Sequence, residues 1–448
     1  MKTQGIFPLS MDHVDKRDDF VYLALTDDAG NIFVHPELGL AAFDGHQIRS
    51  MRASDCVRVP TGSDFFSMPG RAPLGWDHET NEAVPIHETP TGDAAIALSV
   101  FLAPAFTRLM HPATEVCPDA PSLPLYAYSC LGIDSDGYPI SPSIRVDADP
   151  RQDPPRFDRA RIESGVVDRR TDLPKNRLVG HITNCALVYG CRAAQNYFLG
   201  RWEAPIPIAR ACNARCVGCI SLQKEDDKIA SHDRIGFNLE VAEVAELTMD
   251  HIRRVPTGIV SFGQGCEGEP LLNADLAVEA VRQVRQQTQA GTLHLNSNAS
   301  RPDAVARLVE AGLDSMRVSL NSAQSAIYER YYRPLDYSFE DVVRSIQVAS
   351  EAGRFVALNL LVFPGITDTV EELEALIDLH AKAPFHMIQW RNLNVDPDEY
   401  LTTMQDVPRT PPMGLHNFID RLEDSIPGLT RGYYNPAKHK FPDHINLR

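Results

Sequence analysis

From about Pro205 onward, short apolar runs rich in β-branched residues alternate with stretches of helical periodicity. Gly258–Phe262, Thr292–Asn296, Ser315–Leu320, Phe355–Phe363 and Met387–Leu393 read as buried strands, because each is a brief apolar run bounded by turn or cap signals. Between them, Val241, Val244, Ala245, Thr248 and Ile252 fall on one helical face. Val370, Leu373, Leu376, Ile377 and His380 fall on another, with Asp368 as the expected N-cap and Glu371 three residues later. Strands that alternate with helices imply βαβ units and a parallel sheet. With one more strand just before Cys212, the pattern gives six units, too few to close an eight-stranded barrel. The expected fold class is therefore α/β: a partial (β/α)6 TIM-type barrel with an additional N-terminal α+β domain.

The earlier part of the chain is more turn-rich. Val21–Leu25 and Asn31–Val34 flank an Asp-Asp-Ala-Gly turn and predict a hairpin. The most apolar stretch, Ala94–Phe106, is too short to span a membrane and reads as a buried helix. Asp147–Phe157, with three prolines among charged residues, resembles a connector. The expected organisation is an N-terminal domain of unassigned function at 1–175, a connector at 176–204, a core at 205–400 and a C-terminal extension at 401–448.

A formal net charge of −17 argues against a large phosphate-backbone interface, since nucleic-acid binders carry a basic footprint. The first twenty residues lack the apolar core of a signal peptide, so a cytoplasmic location with no membrane partner is expected. Thiols stay reduced in that compartment, so clustered cysteines point to metal rather than disulfides.

Nine cysteines are present, and three cluster tightly: Cys212, Cys216 and Cys219, spaced C-x3-C-x2-C just after the first core strand. A loop of this spacing can wrap three thiolates around one [4Fe–4S] cubane and leave one iron without a protein ligand. A fourth cysteine would close the cluster for plain electron transfer. The competing reading is a zinc site completed by a distant histidine, but zinc sites more often pair two short Cys motifs.

This motif resembles that of the radical S-adenosylmethionine (SAM) superfamily, over roughly residues 205–395. The resemblance implies a catalytic and metal-binding role for Cys212, Cys216 and Cys219, with the open iron chelating the methionine end of SAM. Reductive cleavage of SAM would then yield a 5′-deoxyadenosyl radical for hydrogen abstraction. Gly268-Glu269-Pro270 is similar to the end of the family's Gly-Gly-Glu-Pro segment, which contacts the SAM amino group, although Glu267 replaces the first glycine. Asn298 stands where the family has the asparagine of Thr-Asn-Gly. Ser319 and Asn321 resemble positions that bond the SAM ribose or carboxylate, and Arg391 ends the sixth strand beside Gln389, Asn392 and Asn394. The family's aromatic residue before the third cysteine is Gly218 here.

The resemblance also implies a small-molecule or peptide substrate and an electron donor such as flavodoxin or ferredoxin. The absence of cysteines after Cys266 argues against subclasses with a C-terminal auxiliary cluster. Cys266 is read as a fourth ligand, a relay or an inert buried thiol. Cys185 and Cys191 are read either as buried structural thiols or as ligands, with Cys130 or Cys117, of a second cluster, and Arg317 and Arg333 either as surface ion pairs or as holding an acidic group. Two other readings stand beside the enzyme: a non-catalytic iron–sulfur redox or sensor protein, and an RNA-modifying member, which the acidity disfavours.

Overall fold

The computed structural model describes residues 8–11, 14–221, 232–264, 267–443 and 445. The chain divides into two compact units. The first comprises Met1–Ala148, Val362–Glu374 and Trp390–Asp424; the second comprises Asp149–Leu361, Ala375–Gln389 and Ser425–Arg448.

In the first unit an antiparallel sheet is built around the long strand Ile32–Phe43. That strand pairs with Tyr22–Thr26, Ile48–Ser50, Arg71–Asp77 and His111–Pro112. The hairpin read from the sequence is present, with Leu25 opposite Phe33 and Thr26 opposite Ile32. Ala94–Phe106 is not a helix. Its centre, Ile96–Phe101, is a strand paired with Asp64–Met68. β-branched Ile96 and Val100 and aromatic Phe101 favour the pleat, and Pro104 bars helical continuation. Tyr22, Val100, Leu131 and Ile133 are buried in this unit's core.

Three helices open the second unit: α1 (Arg159–Asp172), α2 (Arg177–Leu187) and α3 (Arg192–Phe198). The compact division thus falls at Ala148/Asp149 rather than at 175, and residues 176–204 carry α2, α3 and the start of the next strand. In α1 only Ile162, Gly165 and Val166 are buried, so its polar composition hides the helix. Side-chain caps set the first two starts: Asp158 accepts from the Arg161 N–H at 2.8 Å and Asn176 from the Leu178 N–H at 3.1 Å.

A seven-stranded sheet follows in sequential order: β1 (Glu203–Ile206), β2 (Ile259–Phe262), β3 (Thr292–Ser297), β4 (Ser315–Leu320), β5 (Phe355–Val362), β6 (Met387–Asn392) and β7 (Thr430–Gly432). Pairing is parallel from β1 through β5 and between β6 and β7. The intervening helices include α4 (Val241–Arg254), α5 (Ala274–Gln287), α6 (Pro302–Ala311), α7 (Ser325–Tyr332), α8 (Phe339–Glu351) and α9 (Val370–Lys382). Five strand readings hold to within a residue or two at each end. β7 is additional, being too short and too polar to show in the pattern. At α9 the Thr369 hydroxyl, not Asp368, accepts from the N3 amide of Glu372, at 3.3 Å, while Asp368 turns to the Gly365 N–H at 2.6 Å.

The two faces of β4 and β5 differ sharply. Met316, Val318, Leu320, Val356, Leu358 and Leu360 are all fully buried on one face. Ser315, Arg317 and Ser319 occupy the other, with Ala357 opposite Arg317 and Asn359 opposite Ser319. A polar chain crosses this second face. Glu203 accepts from Asn435 at 2.8 Å, Asn435 accepts from Gln389 at 2.8 Å, and Gln389 accepts from Arg317 at 3.2 Å. Asn435, from the segment after β7, thereby ties β1 to β6.

Candidate functional site

Residues 207–221 leave the C-terminal end of β1 and carry all three clustered cysteines. Backbone pairing fixes this loop on two sides. On one, the Gly268 N–H donates to the Ala209 carbonyl at 2.7 Å and the Glu269 N–H to that of Ala211 at 2.8 Å. On the other, the Arg215 N–H donates to Tyr332 at 2.8 Å, Val217 to Tyr331 at 3.0 Å, and Leu335 to Asn213 at 3.0 Å. The segment 209–217, which carries Cys212 and Cys216 and ends two residues before Cys219, is thus pinned between the loop after β2 and the end of α7.

Glu267 reinforces the first side. Its buried carboxylate accepts the N–H groups of Ile208 at 2.8 Å, Ala209 at 2.9 Å, Gly263 at 2.5 Å and Gln264 at 3.2 Å. Burial pushes it up to about 8, against the pull of those N–H donors. The residue that departs from the family glycine is therefore a clamp joining the ends of β1 and β2.

Glu269 is equally enclosed. Its carboxylate accepts from the Ser297 hydroxyl at 2.6 Å, the Asn298 N–H at 2.8 Å and the Leu271 N–H at 3.0 Å. Burial raises it to about 7. Three of roughly four lone-pair directions are used, leaving one for an external donor. The Asn298 side chain donates to Asn213 Oδ1 at 3.0 Å, inside the cysteine loop. Asn213 in turn donates to Ser300 at 3.0 Å and to Asp336 at 2.9 Å. The structure thus joins Gly268, Glu269 and Asn298 to the cysteine loop.

Ser319 lies on the polar face of β4, and Asn321, just past that strand, donates to the Ile327 carbonyl at 3.4 Å. Arg391 lies on β6, two residues past Gln389 and on the same face of that strand. Cys266 lies outside the described residues. Cys185 is buried, its sulfur 3.8 Å from His181 Nε2, and the Cys191 N–H donates to the Cys185 carbonyl at 2.9 Å.

Several site residues escaped the sequence reading. Arg234 reaches Cys219 Sγ at 3.8 Å and Ser221 Oγ at 3.0 Å. Asn213 and Glu267 are structural hubs of the loop, as above. Asn359 is 9% exposed, and its Oδ1 is buried without a partner among the described residues. The signal for Asn359 was available: an amide in the middle of Phe-Val-Ala-Leu-Asn-Leu-Leu-Val-Phe is out of place unless something bonds it.

The donor set suits an iron–sulfur cubane. Burial and then the Glu269 carboxylate push the Cys212 thiol up to about 11. Cys216 is raised well above its ordinary range by burial first and then by Cys219 and Cys212. With Arg234 the cation beside Cys219, these buried thiols lack the positive charge that thiolates need, and bound iron would supply it. Among the described residues, no three His, Cys, Asp or Glu side chains converge on a point that would hold a single metal ion. A cubane has no such requirement, because each thiolate takes a different iron corner.

Comparison with known proteins agrees with this chemistry. Residues 206–380 match the radical SAM superfamily model. Over 178 residues, 37% of this chain, the sequence is 25% identical to the FeMo cofactor biosynthesis protein NifB of Klebsiella pneumoniae; the match spans 38% of that protein's length. A radical SAM methyltransferase from Sphaerobacter thermophilus is similar at 16% identity and a TM-score of 0.37, over 52% of this chain and 67% of that one. Methylornithine synthase is similar at 14% identity and a TM-score of 0.34, over 59% and 76%. Superfamily members are enzymes that use a [4Fe–4S] cluster and SAM, and residues 206–380 of this chain form a radical SAM domain.

Proposed function

We propose that Cys212, Cys216 and Cys219 hold a [4Fe–4S] cluster, and that the chain cleaves SAM there to start hydrogen abstraction from a small-molecule or peptide substrate. The observation that carries this reading is the double pinning of the cysteine loop, by Gly268 and Glu269 on one side and Tyr331 and Tyr332 on the other. When bound, the cluster supplies the electron that breaks the S–C5′ bond of SAM, releasing methionine and a 5′-deoxyadenosyl radical.

The chain's own residues orient and shield. Glu269 holds one acceptor direction toward the SAM ammonium, a charge-assisted bond. Gly268 offers backbone beside it. Ser319, Asn321 and Arg391 are read as contacts for the ribose and carboxylate of SAM, Asn298 as a support that keeps the cysteine loop in register. The sequential parallel strands support a partial barrel whose C-terminal strand ends gather these groups. Reductant is taken from a protein donor of the flavodoxin or ferredoxin class.

The test is anaerobic incubation of reconstituted protein with SAM and dithionite, following 5′-deoxyadenosine by mass spectrometry. Wild type should bind about four irons and form deoxyadenosine. The triple Cys212, Cys216, Cys219→Ala variant should do neither. A full cluster in that variant would overturn the assignment, and about eight irons in wild type would revive a second cluster at Cys185 and Cys191.

A further inference from the structure

The cysteine loop carries two arginines' worth of positive charge where it meets α7. Arg215 lies between Cys212 and Cys216 and is exposed. Its N–H bonds the Tyr332 carbonyl at 2.8 Å, so it runs alongside the next residue, Arg333, which is also exposed. Arg333 caps the C-terminus of α7 with a φ of +46°. Glycine is the usual residue there, and a side chain in left-handed backbone is strained. An arginine kept in that conformation marks a place where the charge is wanted at the expense of local strain.

Neither guanidinium forms an ion pair with a described residue. The acid closest by in the chain, Asp336, is already held by Arg301 and by Asn213. Glu329, exposed one turn earlier on α7, is followed by a further arginine, Arg330. On a chain of net charge −17, two exposed arginines with no ion pair among the described residues therefore stand beside the residues assigned to the cluster.

We propose that Arg215 and Arg333 form the docking surface for an acidic one-electron donor protein, which delivers its electron to the cluster across the loop Cys212–Cys219. This rests on the cluster assignment above. An acidic donor is repelled by the chain as a whole, so the basic patch decides where it lands and how fast. The step balances simply: one electron leaves the donor's anionic reduced flavin, which keeps its proton, and one electron enters the cluster.

The experiment compares two reductants on the reconstituted full chain by anaerobic stopped flow, reading the loss of cluster absorbance. The probes are a photoreduced acidic flavodoxin and dithionite. Arg215→Glu/Arg333→Glu should slow reduction by flavodoxin about tenfold or more at low ionic strength, with reduction by dithionite unchanged. The gap should narrow as salt screens the patch. Arg333→Glu alone, which leaves the cysteine loop untouched, should show the same trend at smaller size. Iron content and the spectrum of the dithionite-reduced protein report cluster loading separately. Full iron loading with an unchanged flavodoxin rate in both variants would overturn the docking surface alone. Absence of bound iron in wild type would overturn the cluster reading and this proposal with it.

Discussion

Gly268 approaches Ala211 so closely that a Cβ on the glycine would lie 1.9 Å from the Ala211 carbonyl oxygen. That contact is backbone against backbone and cannot be relieved by a rotamer change. Gly268 is therefore the point where the loop after β2 is pressed onto the residue before the first cysteine. Gly268→Ala should push Cys212 out of register. The expected outcome is iron content well below wild type after reconstitution, with secondary structure by circular dichroism retained. Full cluster loading in Gly268→Ala would show that the loop tolerates the shift.

Glu269→Gln probes charge and structure together. The amide oxygen can keep the Ser297 and Leu271 donors, but its NH2 then faces the Asn298 N–H, which Glu269 accepts at 2.8 Å. Stability should fall by about 1–3 kcal/mol, the cost of a buried donor left unmade. SAM binding should weaken further, by roughly 1.5–3 kcal/mol, the scale of a bond to a charged group. Equilibrium dialysis on cluster-loaded protein separates the two effects. Unchanged SAM affinity in a destabilised variant would confine Glu269 to the loop clamp.

The repeating core was legible because each strand carries a buried apolar face, as Met316, Val318 and Leu320 do in Ser315–Leu320, and its helices are periodic, as in Val241–Arg254. The cysteine motif stood out because three thiols within eight residues, spaced C-x3-C-x2-C, are an uncommon arrangement. What failed is equally specific. α1 buries a stripe too narrow to read among its charges. Ile96–Phe101 carries no period that separates a buried strand from a buried helix. Glu267 read as a departure from a motif, since four backbone donors from two distant segments converge on it only in three dimensions. The lone polar position in β5 was visible but passed over, because its neighbours so strongly announce a core strand.

Acid should expose the buried histidines. His251 is fully buried on α4 with both ring nitrogens unpartnered among the described residues, and burial holds it down at about 3. Its folded value lies below the unfolded value of about 6.5. Between pH 6.5 and 3 the unfolded chain binds a proton that the folded chain refuses, so stability falls as pH falls through that window. His251→Leu removes this linkage. Relative to wild type, the variant should gain about 2 kcal/mol on going from pH 7.5 to pH 5, measured by urea denaturation. An equal response of both proteins to pH would show that His251 is protonated, or relaxed, in the fold.

Asn359 should reveal a ligand through stability alone. Its Oδ1 is buried, opposite Ser319 in the ladder, with no partner among the described residues, so it stands as an unmet acceptor there. Leucine has similar volume and would sit on an otherwise apolar strand, whose neighbours Leu358 and Leu360 are fully buried. Asn359→Leu should therefore raise the melting temperature of the protein without SAM, by an amount worth about 1–3 kcal/mol. If a bound molecule normally satisfies that oxygen, the variant should also lose part of the stabilisation that ligand confers, because binding to the native state stabilises it in proportion to affinity. Thermal unfolding of cluster-loaded protein with and without SAM measures both quantities on one instrument. A variant that is more stable and just as strongly stabilised by SAM would assign the amide to the substrate rather than to SAM. A variant less stable than wild type without SAM would show that the oxygen already has a partner, such as ordered water, in the ligand-free protein.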